Sequence, residues 1–215
     1  MRKVNLPVDY ENKRDFFLID SDNLLDYSEI FGNNNPTYLE IGCGKGEFIE
    51  TIPVLNPGIN YLGIELKHKR ILMILKKIWV DTHPNVRLMK LYVDEKVTEI
   101  VPAESLDKIY IQHPDPWPKR RHNKNRLIQH PFIDALFKIL KPGGTVEIST
   151  DHPDYAEWIV EKFMEREDFE SMFPGGFTRV SPYRDKHITT YFEKINAEVG
   201  FEPYFMHYKK LNKGK

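Results

Sequence analysis

A glycine-rich loop after the first predicted strand is the feature of this chain that most directly indicates ligand binding. Residues 37–41 run straight into Gly42-Cys43-Gly44-Lys45-Gly46. Glycines let a chain turn tightly and let a ligand approach the backbone closely. The loop is not a P-loop, because Lys45 is followed by glycine, and not the dinucleotide fingerprint, because its third glycine comes one position early. We expect Gly42, Gly44 and Gly46 to bind a cofactor that has no pyrophosphate.

Acidic residues lie near this loop at the ends of predicted strands. Glu65 ends the second strand about 20 residues after the loop, a spacing at which an acid commonly hydrogen-bonds a ribose diol. Glu40 precedes the loop and is either a second acid facing the site or a solvated strand residue. Asp94 follows the third strand and either meets an adenine amino group or is an ordinary loop aspartate. Acids beside a loop that lacks a phosphate-binding motif favour S-adenosylmethionine, which has a cationic sulfonium and no pyrophosphate, over NAD.

A proline-rich segment after the fourth predicted strand carries one carboxylate and one tryptophan. It reads His113-Pro114-Asp115-Pro116-Trp117-Pro118. Prolines fix the backbone at low entropic cost, so Asp115 is presented on a stiff loop. Its carboxylate is suited to accept the N1–H and N2–H donors of a guanine, whereas Trp117 either stacks on a base or covers the core.

A basic run follows directly. Residues 119–126 contain five Lys or Arg and no acid, although the whole chain is nearly neutral, with 31 Lys plus Arg against 32 Asp plus Glu. Near-neutrality alone argues against a nucleic-acid partner, and a basic run is usually a solvated helix face. Its place beside the expected cofactor site makes phosphate contact the better interpretation. The candidate contacts are Arg120, Arg121, Lys124 and Arg126. Lysines 209, 210, 213 and 215 form a second, more ambiguous cluster.

Strands and helices alternate through the middle of the chain and must position these residues. Strands are predicted at 37–41, 60–64, 86–92, 106–111 and 145–149, and helices at 47–55, 67–80, 127–140 and 155–166. This alternation predicts βαβ units in a mainly parallel, doubly wound α/β sheet. The last third differs, with a predicted strand at 169–173, a helical stripe at 188–199 and a final antiparallel strand at 202–208.

Composition limits the class of protein. Hydrophobic residues make up 40% of the 215 residues and charged residues 29%, which excludes a disordered or collagen-like chain. The single cysteine cannot form an internal disulfide and favours a reducing, cytoplasmic compartment. No signal peptide or membrane span is recognisable, and the histidines show no metal-ligand spacing. We expect an N-terminal extension at 1–36, with one helix near 23–31, and a single domain at 37–215.

The motifs resemble those of the bacterial tRNA (guanine-N7)-methyltransferases of the TrmB family, over residues 37–208. The proline-tryptophan-basic segment is specific to that family, whereas the glycine loop is shared by many methyltransferases. Two residues depart from the usual pattern: Asn125 stands where a basic residue is common, and His113 where an aromatic one is frequent. The matching segments are 40–46, 61–65, 115–122, 141–144, 150–151 and 190–193.

The resemblance implies a Rossmann-like class I methyltransferase fold. It implies methyl transfer from S-adenosylmethionine to N7 of guanine 46 in the tRNA variable loop. From the sequence itself we expect no metal, no membrane contact and no other protein partner, and either a monomer or a homodimer. Asp115 would be catalytic and also contact the cofactor, with Glu40, Glu65 and Asp94 as the other cofactor acids. The substrate-binding positions would be Lys119, Asp151, Thr190, Tyr191, Phe192 and Glu193.

Alternatives remain open at this stage. Asp151 would also serve as the N-cap of the helix that follows it, and Thr190 and Glu193 as a pair at a helix N-terminus. A small-molecule methyltransferase would explain the glycine loop but not the basic run. An NAD-dependent oxidoreductase conflicts with the early third glycine, and a non-enzymatic RNA-binding module would leave the glycine loop and Glu65 without a role.

Overall fold

The computed structural model describes residues 8–181, 188, 197, 200 and 202–212. Six α-helices and eight strands lie within these residues. The strands are β1 (Leu18–Ile19), β2 (Thr37–Ile41), β3 (Asn60–Ile64), β4 (Val86–Met89), β5 (Leu106–Gln112), β6 (Leu140–Thr150), β7 (Phe169–Ser171) and β8 (Tyr204–Lys210). The helices are α1 (Tyr10–Phe17), α2 (Tyr27–Phe31), α3 (Glu47–Leu55), α4 (His68–Leu75), α5 (His130–Ile139) and α6 (Pro153–Met164).

The strands form one mixed sheet in the order β1-β4-β3-β2-β5-β6-β8-β7. Strands β1 to β6 pair in parallel, whereas β8 runs antiparallel to both β6 and β7. The predicted doubly wound sheet with an antiparallel final strand is therefore confirmed. β2 pairs with β3 on one side and with β5 on the other, so the strand order reverses direction at β2. The carboxyl end of β2 is therefore the switch point where such folds bind ligands.

Helices cover the sheet on both faces. One hydrophobic cluster joins α5 and α6 to the sheet through residues such as Phe132, Leu136 and Ile159. A second joins α1, α3 and α4 to the opposite face through residues such as Phe17 and Ile49. In the helix predicted at 127–140, the apolar residues with helical spacing all lie in the first cluster, as expected for a core-facing helix: Ile128, Phe132, Ala135, Leu136 and Ile139.

Several element boundaries differ from the sequence prediction. β2, β3 and α3 have the predicted bounds, but α4 ends at Leu75 rather than at residue 80, and β4 ends at Met89 rather than at 92. α5 and α6 each carry a proline in the first turn, where its fixed φ suits a helix start. β6 begins at Leu140, so the segment 141–144 belongs to a strand and does not only terminate a helix.

The N-terminal extension contributes to the sheet. Helix α1, which the sequence did not predict, leads into β1, and β1 pairs with β4. The buried Lys13 donates to the carbonyl of Leu75 at 2.8 Å and lies 3.3 Å from the centre of the Trp79 ring. The helix predicted near 23–31 is shorter, beginning at Tyr27. Asp26 caps it by accepting the N–H groups of the next turn.

The C-terminal lysine cluster is partly structural. Lys210 is 4% exposed and donates to the carbonyl of Leu140 at 2.8 Å and to Glu104 at 3.2 Å. This ammonium therefore secures the end of β8 to the neighbouring strand, while lysines 213 and 215 lie outside the described residues.

Gly63 in β3 provides the space in which the glycine loop rests on the sheet. A Cβ added there would lie 2.7 Å from Cys43 Sγ and 2.9 Å from Leu88 Cδ2. Both distances are too short, so any larger residue would push the loop away from the strand.

We predict that Gly63→Ala lowers the free energy of unfolding by about 1–3 kcal/mol, because overpacking a filled site forces its neighbours to move. Urea unfolding measures this change. Gly58→Ala is the matched control, since a Cβ at Gly58 meets no atom within 4 Å. Equal stability of the two variants would contradict the packing argument.

Candidate functional site

A cavity of about 710 Å³ opens at the carboxyl ends of β2, β3, β4 and β5. Its walls are the loops that follow these strands, so it lies at the switch point of the sheet. Its volume falls within the range of about 300–1,000 Å³ that small-molecule sites occupy. The sequence predictions for the glycine loop, the acids and the proline-rich segment all converge on this one cavity.

The glycine loop forms the floor of the cavity. Gly42 and Gly44 have φ values of 83° and 58°, and a Cβ at Gly42 would project into open space. The N–H groups of Gly42 and Cys43 both donate to the Ile64 carbonyl, at 2.8 and 3.2 Å, which fixes the loop on the neighbouring strand. Cys43 is buried, and burial raises the pKa of its thiol well above the usual value, which agrees with a packing role.

Gly46 differs from the other two glycines. It precedes α3 with a φ of 84°, and a Cβ there would lie 2.7 Å from Ile74 Cγ1. It does not line the cavity. The expectation that Gly46 contacts a cofactor is therefore corrected: its missing side chain lets α3 pack closely against α4.

Glu65 connects the glycine loop to the start of α4. One carboxylate oxygen accepts the Gly44 N–H at 2.9 Å, and the other accepts the Lys67 N–H at 2.8 Å. The Arg70 guanidinium lies 3.5 Å away. With 4% of its surface exposed, Glu65 is held in one orientation at the cavity wall, and its remaining lone pairs can accept hydroxyl donors.

Glu40 is buried in the same wall but is only half satisfied. One oxygen is 3.4 Å from the Gln112 side-chain amide, and the other has no hydrogen-bond partner among the described residues. Burial, together with the neighbouring acids Glu47 and Glu65, raises the pKa of Glu40 to about 8. A buried oxygen without a partner at a cavity is suited to a ligand with a donor or a positive charge.

Gln112 is a site residue that the sequence analysis missed. It ends β5, which is paired with β2 in parallel, and its amide reaches Glu40 across the switch point. Gln112 directly follows the fourth predicted strand, at 106–111, and this position at a strand end was the available signal. Gln112 orients the Glu40 carboxyl and leaves the second oxygen open.

Asp94 lies in the cavity wall and also stabilises its own loop. It lines the cavity, and one oxygen accepts the Lys96 N–H at 2.9 Å at the start of a short 3-10 helix, Glu95–Glu99. Both interpretations that the sequence left open for this residue are therefore compatible with its position.

The proline-rich loop presents Asp115 at the cavity mouth. His113 and Trp117 have φ values of 48° and 44°, a region that costs non-glycine residues about 1–3 kcal/mol each and is found most often at functional sites. Between them Asp115 is exposed, lines the cavity and has no hydrogen bond to a described residue. Its carboxylate is therefore available to a substrate.

The basic run divides into exposed and buried parts. Lys119, Arg120, Arg121 and Lys124 are exposed, the last three on a 3-10 helix, and Lys124 lines the cavity. Arg126 is 4% exposed; its Nε donates to the Pro116 carbonyl at 2.9 Å, and its guanidinium lies about 5 Å from the Tyr155 and Trp158 rings. The prediction that Arg126 contacts phosphate is corrected: it supports the proline-rich loop from inside.

Asp151 lies beside the proline-rich loop. Its Oδ2 is 3.5 Å from His113 Nδ1, and it is not part of the cavity wall. The residue that caps α6 is His152 rather than Asp151, so the capping alternative is removed. The other expected substrate positions, Thr190, Tyr191, Phe192 and Glu193, lie outside the described residues.

Two further properties concern the described part of the chain as a whole. Its acids, histidines and cysteine form no group that could hold a metal ion. Its helices include none with the length and apolar character needed to cross a membrane.

Comparison with known proteins gives consistent matches. A family model described as "Putative methyltransferase" matches residues 34–202. A tRNA (guanine-N(7)-)-methyltransferase of Geobacter metallireducens is 35% identical over 88% of this chain and 89% of its own length. One of Alkaliphilus oremlandii is 35% identical over 82% of this chain and 78% of its own.

Solved structures with low sequence identity show the fold. The 16S rRNA methyltransferase KamB aligns with a TM-score of 0.61 at 13% identity, covering 98% of this chain and 97% of that one. An antibiotic-related methyltransferase aligns with a TM-score of 0.57 at 16% identity, covering 89% and 98%.

The raised pKa of Glu40 predicts a pH-dependent difference between the wild type and Glu40→Gln. Glu40 is protonated in the folded protein up to about pH 8 but ionises near 4.5 when unfolded. The stability that the neutral carboxyl contributes is thus present below about pH 4.5 and is lost as pH rises toward 8.

Between these two pH values the wild type should lose stability relative to Glu40→Gln, by at most about 1.4 kcal/mol per pH unit. Urea unfolding of both proteins across this range measures the difference. The exposed Glu157→Gln is the control and should follow the wild type. A constant gap between wild type and Glu40→Gln would contradict the assignment.

Proposed function

This chain belongs to the family of tRNA (guanine-N(7)-)-methyltransferases, and we propose that it transfers a methyl group from S-adenosylmethionine to N7 of a guanine in tRNA. We further propose guanine 46 of the variable loop as the target. One observation carries the proposal. A stiff loop, whose carboxylate has no hydrogen bond to a described residue, and a row of exposed cations stand at the mouth of a cavity whose wall contains buried acids.

The cavity residues fit S-adenosylmethionine. Glu40 offers a buried oxygen that has no partner among the described residues, which suits the ammonium of the methionyl end. Glu65 is oriented by two backbone donors and suits the ribose hydroxyls, and Asp94 suits the adenine amino group. Gly42 has no side chain that would occupy the cavity floor, so a ligand can approach the backbone there. When bound, this cofactor supplies a methyl group on a positively charged sulfur.

The acids give the cavity points suited to a cationic group, although five Lys or Arg residues line it as well. Glu40, Glu65, Asp94 and Asp115 all line it, and opposite charges attract strongly where water is excluded. A ligand that brings positive charge allows the half-satisfied Glu40 to ionise. Binding and ionisation therefore support each other.

Asp115 has an orienting role in the proposed reaction. Guanine N7 carries an in-plane lone pair and is a hydrogen-bond acceptor, so it needs no deprotonation before it attacks. Asp115 accepts the N1–H and N2–H donors on the opposite edge of the base and directs N7 into the cavity. Positioning of this kind can contribute about 7–11 kcal/mol to lowering a barrier.

The exposed cations hold the rest of the tRNA. Lys119, Arg120, Arg121 and Lys124 lie beside the Asp115 loop and are suited to backbone phosphates. Asp151 and the positions Thr190, Tyr191, Phe192 and Glu193 are proposed as further substrate contacts. A tRNA-modifying enzyme acts where tRNA is found, and we therefore propose a cytoplasmic location.

The activity is tested by incubating the protein with unmodified tRNA and cofactor carrying an isotopically labelled methyl group. Nucleoside analysis by mass spectrometry should give 7-methylguanosine, and the label should disappear when guanine 46 is replaced by adenine. Label in another nucleoside, or none, would overturn the proposal.

Replacing Asp115 tests the orienting role. We expect Asp115→Asn to lower kcat/KM about 10²–10³-fold, the size of effect seen when a preorganised polar contact to the reacting group is removed. The melting temperature should not change, because the carboxylate has no described partner within the fold. Asp81→Asn, another exposed aspartate, is the control; near-normal turnover of Asp115→Asn would refute the role.

The two halves of the basic run should respond differently to substitution. Lys119→Gln/Arg121→Gln should weaken tRNA binding and reduce the slope of log K against log salt by about 0.7–0.9 for each lost phosphate contact. Arg126→Gln should instead lower the free energy of unfolding by about 1.5–3 kcal/mol, because a buried charged donor is lost.

Filter binding over a series of KCl concentrations and urea unfolding separate the two effects. If Lys119→Gln/Arg121→Gln left the salt slope unchanged, the exposed half would be only a solvated surface. If Arg126→Gln were fully stable, its internal contacts would have no structural role.

A further inference from the structure

A second acid-free basic segment lies at the cavity and has no part in the account so far. Residues 67–77 contain five Lys or Arg and no Asp or Glu, the same number of cations as the run at 119–126. Three of its residues, Lys67, His68 and Lys69, are exposed at the start of α4. We call these three residues the α4 basic patch.

The α4 basic patch lies on the opposite side of the cavity from the 3-10 helix Arg120–Asn125. Lys67 follows β3 and lines the cavity, whereas Lys124 follows β5 and lines it as well. β3 and β5 flank β2 on its two sides, so the glycine loop that follows β2 lies between the two basic segments. A polyanion lying across the cavity mouth would meet positive charge on both sides.

The position of these lysines is unfavourable for the helix that carries them. The first turn of a helix favours acids, because the aligned peptide dipoles place positive charge there, yet the first turn of α4 has no acid. Neither Lys67 nor Lys69 has an ion-pair partner among the described residues. Glu65 supplies a carboxylate to the backbone at this helix start, but neither lysine ammonium is paired with it, and a bound anion would pair with them.

We propose that the α4 basic patch binds backbone phosphates of the RNA substrate, on the side of the cavity opposite residues 119–124. This inference rests on the proposed function and extends it, since it makes the cavity mouth a two-sided phosphate clamp around the target base. Lysine is suited to this role as a point charge that follows a flexible backbone. The cofactor remains below the clamp, in the acidic cavity.

The test compares Lys67→Gln/Lys69→Gln with a charge-matched control, Lys76→Gln/Lys138→Gln. Lys76 and Lys138 are exposed at the C-terminal ends of α4 and α5, which point away from the cavity. Binding of unmodified tRNA is measured by filter binding at several KCl concentrations, together with kcat, KM, the cofactor Kd and the melting temperature.

For Lys67→Gln/Lys69→Gln we expect about tenfold weaker tRNA binding at moderate salt and a salt slope smaller by about 1.5–2, as two lost phosphate contacts require. KM for tRNA should rise while kcat and the cofactor Kd stay within about twofold. The melting temperature should rise or stay constant, because the two substitutions remove positive charges from a helix N-terminus. The control should keep the wild-type slope and show no rise in melting temperature.

Two results would overturn the inference while leaving the proposed function intact. One is wild-type formation of 7-methylguanosine with equal salt slopes in both double variants. The other is a loss of cofactor affinity in Lys67→Gln/Lys69→Gln with unchanged tRNA binding, which would assign Lys67 to the cofactor site. A wild type that forms no 7-methylguanosine in tRNA would refute the proposed function and this inference together.

Discussion

The burial of two carboxylates at the carboxyl ends of adjacent strands is the constraint on which the rest of the site depends. Glu65 accepts one backbone N–H group on each oxygen, and in accepting them it fixes both the glycine loop and the start of α4. One oxygen of Glu40 receives the Gln112 amide, and its second oxygen stays without a described partner. The fold thus orients Glu65 before a ligand binds, and it leaves the second oxygen of Glu40 for a ligand that can complete it.

The local charges around these two carboxylates matter more for binding than the net charge of the whole chain. Acids and cations both line the cavity, and further exposed cations stand at its mouth, on the 3-10 helix Arg120–Asn125 and at the start of α4. A chain that is neutral as a whole, with a net charge of −1, can therefore attract a cationic cofactor and a polyanionic substrate to neighbouring places. The belief that near-neutrality excludes a nucleic-acid partner fails because it averages over these two regions.

Sequence reasoning identified the parts that have local signals. β2, α3 and β3 were predicted with their observed bounds, since glycines, apolar periodicity and turn residues mark them directly. Sequence reasoning failed for residues whose role is determined by tertiary contacts alone. Arg126 belongs to a basic run, and nothing local distinguishes it from Arg121, yet aromatic rings and the Pro116 carbonyl enclose it. Gly46 belongs to the glycine loop, but its role depends on how closely α4 approaches. Gln112 acquires its role only when β5 lies beside β2.

The ligand-binding role of Glu40 is tested by the number of protons released when the cofactor binds. Isothermal titration of S-adenosylmethionine at about pH 7, in buffers of different ionisation enthalpy, counts the protons exchanged. Because the pKa of Glu40 is about 8 without a ligand, a cation bound beside it should release close to one proton per site, and Glu40→Gln should release none. Binding without proton release, or equal release from both proteins, would contradict the account.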